Sequence, residues 1–274
     1  MLDASVSWLP LVAAMVGAGA LGGLLAGLLG VGGGIVIVPV LDLALVTAGV
    51  DPAVAMHVAV ATSMATIVPT SISSSRSHAR RGSIDVEVVK RWSLPIVIGA
   101  LAGSFVASSV DARALAGVFG AVAGLAALKM VLPLDHLVLR TSIPGGLAGA
   151  AIPCSIGVIS AMMGIGGGTL SVPSMTLCGE PVHKAVGTAA LLGLWISVPA
   201  TIGYLLAQPG VAAMPPWTIG WVSLAGFAVI APVSWLVAPA GARLAHSLDR
   251  RMLSAAFGVF LLLVASRMLY RAFG

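Results

Sequence analysis

Charge is what this sequence has least of. Only 8% of its 274 residues are Asp, Glu, Lys or Arg, where a soluble globular chain carries roughly 25%. A soluble fold needs a charged surface, and this chain cannot supply one. Cysteine is nearly absent too. Cys154 and Cys178 both stand in apolar surroundings, and two cysteines build no disulfide framework. Their expected state is a pair of buried, inert thiols. No GxSxG occurs, and Asp42 is the single acid well inside an apolar segment. An intramembrane hydrolase with a serine nucleophile or an aspartate pair therefore has no residues to work with. Isolated Met and His residues offer no cluster for carrying a metal or other cation. The first residues, MLDASVSWLP, lack the basic stretch that opens a signal peptide. The apolar run behind them is too long for one and is expected to be a retained span.

What is there in abundance is apolar. Hydrophobic residues make up 59% of the chain, and several runs reach the roughly 20 residues a helix needs to cross a bilayer. In lipid every backbone polar group must be bonded within the fold, so helices or a closed barrel remain. A barrel strand alternates apolar and polar residues. The run LAGVFGAVAGLAALKMVL is apolar on every side, which marks a helix. The 34 glycines suit helices that pack closely in a membrane. The net charge of +5 does not point to nucleic acid, because the basic residues sit between apolar segments, where membrane topology puts them.

The chain also repeats itself. GVGGGIVIVP at 30–39 is answered by GIGGGTLSVP at 164–173, with six of ten positions identical in order. HVAVAT at 57–62 is answered by HKAVGT at 183–188. Asp111, Arg113, Phe119, Gly120 and Met130 are answered by Asp249, Arg251, Phe257, Gly258 and Met268. Three matches in one order define two repeats, 1–134 and 135–274, that together form one membrane domain. The join falls near 133–141. Each repeat reads as five apolar segments: 8–29, 35–49, 53–75, 93–110 and 112–132, then 142–163, 169–179, 182–207, 217–240 and 252–270. The second member of each set is short and follows directly on the glycine run.

Equivalent loops carry opposite basic bias. The 76–91 loop holds Arg76, Arg80, Arg81, Lys90 and Arg91, while 208–216 holds no charge. The next pair reverses this: 109–113 has Arg113 alone, and 241–251 has Arg243, Arg250 and Arg251. The expectation is two halves in opposite orientation. The N-terminus would lie outside, the 76–91 loop and the join inside, and the C-terminus outside. Arg267 and Arg271 near that C-terminus argue the other way. Inverted repeats with a broken helix in each half are a recurring transporter design, with the substrate near the midplane and a proton or sodium ion as coupling partner.

The candidate site residues follow from that design. Gly32, Gly33 and Gly34, with Gly166, Gly167 and Gly168, can free backbone N–H groups at a helix start, where anions are attracted. The same glycines could serve close helix packing alone. His57, Thr62 and Ser63 fall in an apolar helix of the first repeat, as His183, Lys184 and Thr188 do in the second. Their hydroxyls can donate to an anion or bond their own helix backbone. The histidines and Lys184 stand near segment starts and can reach the interface instead. Asp42 can neutralise a cation, accept a proton or mark an outer surface. The run PTSISSSRSHARR at 69–81 reads as a helix end with a cytoplasmic anchor, some of whose serines can line a vestibule. The tryptophans suit the interfaces, except Trp195, which is central in its segment and a candidate for the pathway.

On these residues the sequence resembles the sulfite exporter TauE/SafE family of membrane transporters. GLLGVGGGIVIVPVL at 27–41 and MMGIGGGTLSVPSM at 162–175 carry the resemblance, with AVATS at 59–63 and AVGTA at 185–189. It covers nearly the whole chain. It implies an exporter of small anions, chiefly sulfur oxyanions and organosulfonates such as sulfite or sulfoacetate, in a bacterial inner membrane. Thr188-Ala189 stands where the first half has Thr62-Ser63, so the half-sites differ chemically. An anion channel and a cation or metal transporter are the alternative readings.

Overall fold

The computed structural model describes residues 8–30, 32–131, 146–210, 214–244 and 250–274. Helices dominate it: α1 Trp8–Leu29, α2 Gly34–Thr47, α3 Pro52–Ala79, α4 Val86–Ser109 and α5 Ala112–Val131 in the first half. The second half holds α6 Gly146–Met163, α7 Gly168–Leu177, α8 Val182–Leu206, α9 Leu224–Leu244 and α10 Arg250–Phe273. Ahead of α9 stands one hairpin, β1 Thr218–Ile219 and β2 Val222–Ser223. Among the described residues α1, α3, α4, α8 and α9 are long and apolar enough to cross a membrane. The join at 133–141 and Asp249 lie outside the described residues.

Two boundaries differ from the sequence expectation, each for a local reason. The basic stretch 76–91 is mostly helix. Arg76 stays in α3, and α4 begins at Val86 because Asp85 caps it, accepting the Val88 N–H at 3.0 Å. Glu87 then pairs with Arg91 one turn on, at 3.0 Å, a spacing that supports an exposed helix end. Conversely, the 217–240 segment does not start as a helix. Trp217 has φ 60° and Gly220 φ 55°, which turns the chain into the hairpin before α9.

Helix α3 sits at the centre, buried over most of its length. Its serines bond neighbouring helices: Ser73 donates to Trp235 O at 3.0 Å and Ser74 to Ala26 O at 3.2 Å. The polar run at its end therefore ties α3 to α9 and α1.

Small residues set the approach of the other helices. In the α1–α9 pair, Gly19, Gly23 and Gly27 face Ile230, Ser234 and Ala238 in ascending order, so the two helices run parallel. In the α4–α6 pair, Gly99 and Gly103 face Cys154 and Val158, also ascending. In the α5–α10 pair, Gly117, Gly120 and Gly124 face Ala272, Leu269 and Ala265, so those helices run antiparallel. Exchanging α1–α5 for α6–α10 turns the α1–α9 pair into the α6–α4 pair and maps α5–α10 and α3–α8 onto themselves.

Candidate functional site

The two glycine runs are far apart in sequence and touch in space. A side chain at Gly32 would come within 2.8 Å of Gly166 Cα. One at Gly34 would collide with Gly164 O and crowd Ser63 Oγ. Ser63 itself donates to Gly164 O at 2.7 Å, across the two halves. Gly30 and Gly164 take matching left-handed conformations, φ 68° and 67°, which only glycine adopts without cost. The turns then diverge. Gly33, the residue before α2, is left-handed at φ 78°, while its counterpart Gly167 is right-handed at φ −58°. Gly33 O accepts from the N–H groups of Val36 and Ile37, at 3.1 and 3.2 Å. Both short helices pass through an internal proline, Pro39 and Pro173.

The threonines of the second motif make matching bonds. Thr62 Oγ1 accepts the N–H of Ser223 at 2.9 Å, just before α9. Thr188 Oγ1 accepts the N–H of Asp85 at 2.8 Å, just before α4. Each threonine thus holds the start of a helix in the other half. A Thr62→Val substitution keeps the shape and leaves the buried Ser223 N–H without that partner. It is expected to cost about 1–3 kcal/mol in stability, and Thr188→Val less, since Asp85 is only half-buried and water can reach it. Thermal melting of the two purified variants checks the order.

The histidines differ. His57 is enclosed, with Nδ1 2.9 Å from Ala53 O, Nε2 2.9 Å from Val110 O, and its ring stacked on Trp221 at 4.5 Å. His183 is exposed at the start of α8, and Lys184 beside it is half-buried. Trp195 does not join the cluster. It is 43% exposed, on a stripe of α8 with Val198, Ile202 and Leu206, the spacing of a lipid-facing ridge. Trp92 and Trp221 are buried rather than interfacial. Asp42 is fully buried and paired with Arg271 of α10. Arg271 also donates to Pro52 O at 2.7 Å, and Arg267 to Pro39 O at 3.2 Å.

Sequence reasoning missed the partners of these residues: the backbone N–H groups of Ser223 and Asp85, the ring of Trp221, and the contacts of the two arginines. Backbone partners and contacts across the two halves leave no pattern along the chain. It also passed over Thr169 and Ser171, although these are polar where the duplicated motif has Ile35 and Ile37.

A helical membrane protein with two glycine turns meeting at its centre is the architecture this geometry defines. Comparison with known proteins places it further. The family model described as "Sulfite exporter TauE/SafE" matches residues 15–268, and the chain belongs to that family. A "Probable membrane transporter protein" of Haemophilus influenzae is 31% identical over 91% of this chain and 95% of its own length. A protein of Xylella fastidiosa with the same description is 26% identical over 94% of each chain. No solved structure matches. The protein is accordingly a membrane transporter.

Proposed function

We propose that the protein is a secondary transporter that exports small anions, most suitably sulfur oxyanions or organosulfonates such as sulfite or sulfoacetate, across a bacterial inner membrane. The observation that carries this reading is the meeting of the two glycine turns, Gly32–Gly34 against Gly164–Gly168, with Ser63 between them. The helix starts there offer N–H groups to an anion at the middle of the bilayer.

The reading takes residues 1–134 and 135–274 as inverted repeats. The antiparallel α5–α10 contact and the reciprocal threonine bonds support this. Two counterpart helices run antiparallel when the axis relating the repeats lies in the membrane plane. Arg267 and Arg271 no longer weigh against an outside C-terminus, since both are engaged by α2 and the start of α3 rather than standing in a loop. Thr62 and Thr188 serve here as clamps on α9 and α4, so that movement of one half is felt in the other. The family and the glycine contact support an anion as cargo.

Proteoliposomes test the proposal. Labelled sulfite or sulfoacetate should exchange saturably, and unlabelled anion on the far side should accelerate it. Conductive flux down a salt gradient without such acceleration would make the protein a channel. Transport of a metal cation in place of any anion would overturn the proposal.

A further inference from the structure

Among the described residues, six buried Ser or Thr hydroxyls find no hydrogen-bond partner within the protein, all of them in the second half: Ser160, Thr169, Ser171, Ser197, Thr201 and Thr218.

 They lie on α6, α7, α8 and the hairpin. This departs from the habit of the other helical hydroxyls here. Ser174, Ser234 and Ser266 each donate to the carbonyl four residues back, at 2.7–2.8 Å. Ser171 and Ser197 are fully buried and Thr169 is 9% exposed, so water does not serve them from the surface.

Two of these hydroxyls belong to one helix start, and a third belongs to the helix packed against it. Thr169 and Ser171 lie in the first turn of α7, and Cα–Cβ bonds tilt toward a helix N-terminus. Their side chains therefore lean back toward Gly167 and Gly168. The α7 ladder begins with the Ser171 N–H donating to Gly167 O at 2.8 Å. The N–H groups before it have no intrahelical acceptor. No side chain caps this end. Ser197 comes from α8, whose Ile196 side chain reaches within 3.3 Å of the place a Gly167 Cβ would take. In the first half the same turn is followed by Ile35 and Ile37 and offers no such donors.

We infer that the anion site is one-sided: Thr169, Ser171 and Ser197 donate to the cargo at the start of α7, and α2 supplies an apolar wall. The inference rests on the anion-transport reading above and adds its donor set. It also sets a charge preference. The described parts of α6, α7 and α8 carry no charged side chain beyond Lys184 at the first turn of α8. A helix end and neutral hydroxyls compensate about one negative charge at most. Within the proposed cargo class, a singly charged oxyanion with several acceptor oxygens, such as hydrogensulfite or a monosulfonate, fits; a doubly charged one, such as sulfate or sulfoacetate, keeps a burden that nothing offsets and is the poorer ligand.

Calorimetric titration of the purified full-length protein with methanesulfonate and with sulfate tests this. The wild type should bind methanesulfonate at least about tenfold more tightly than sulfate. Ser171→Ala and Ser197→Ala should each weaken methanesulfonate binding about tenfold or more, the scale of a lost hydrogen bond to a charged group. Their melting temperatures without anion should stay level or rise, because removing an unpartnered buried hydroxyl costs the fold nothing. Ser171→Cys, close in size and a weaker donor, should fall between. Unchanged affinity in both alanine variants would overturn the donor set and leave anion transport standing. Lower melting with unchanged affinity would do the same and make the hydroxyls packing groups. Sulfate bound as tightly as methanesulfonate would overturn the charge preference. A wild type that binds no anion would overturn the transport reading itself.

Discussion

Gly34→Ala is expected to abolish anion exchange and to lower the melting temperature sharply. The added methyl would meet Gly164 O and Ser63 Oγ, and Gly164 belongs to the backbone of the other turn. A flexible side chain can swing aside; a backbone carbonyl fixed in the turn between α6 and α7 cannot. Overpacking a core costs about 1–3 kcal/mol where side chains can adjust, and this contact stands at the upper end. The contact also joins the halves, so the damage falls on the place where they meet. Gly17→Ala is the matched control. It adds the same methyl in the middle of α1, with nothing within 4 Å. Alanine is the better helix former by about 1 kcal/mol, so that variant should melt at or slightly above the wild-type temperature and keep full exchange. Melting and initial exchange rates measured on both proteins separate a local clash from a general intolerance of mutation.

Arg271→Ala should be nearly as severe for stability. It strips the partner from a carboxylate that is wholly buried, and it removes the bond to Pro52 O. Breaking a buried pair from one side costs about 3–5 kcal/mol, because the remaining charge is left uncompensated. Asp42→Asn should cost less, since the amide is neutral and Arg271 is partly exposed and can reach water. Replacing both residues by leucine should recover much of the loss, as apolar substitutes for buried ion pairs often do. A double-mutant cycle built on melting curves gives the coupling. If Arg271→Ala and the double replacement lose the same stability, the pair contributes little and the carbonyl contact with Pro52 carries the effect.

Much of this architecture was legible along the chain, and for identifiable reasons. Apolar runs and glycine content dictate membrane helices, because lipid leaves the backbone no other partner. The duplicated GxGGG motif singled out the two turns, since a backbone-to-backbone approach needs residues without Cβ atoms. The threonine motif was legible as a repeat but not as a clamp. Thr62 and Thr188 bond backbone N–H groups at Ser223 and Asp85, and a backbone donor has no residue type to recognise. Trp195 misleads in the sequence because a central position in a span says nothing about which face it occupies. His57 and His183 look alike in their motifs, yet the hairpin places Trp221 over one while the other stays exposed. The hairpin itself was hidden, because its apolar residues continue the helical run of α9 without a break in composition. Asp42 and Arg271 are separated by most of the chain, and only the packing of α10 against α2 brings them together.

Thermal stabilisation of the purified protein across an anion panel tests the central claim most directly. The panel holds sulfite, sulfate, thiosulfate, taurine, sulfoacetate, chloride and acetate, with Ni²⁺ as a cation control. A ligand at 100 times its dissociation constant stabilises a protein by about 2.7 kcal/mol, enough to move a melting curve. An anion carrier predicts a shift with at least one sulfur anion, none with Ni²⁺, and loss of the shift in Gly34→Ala. A shift with Ni²⁺ and with no anion would contradict it.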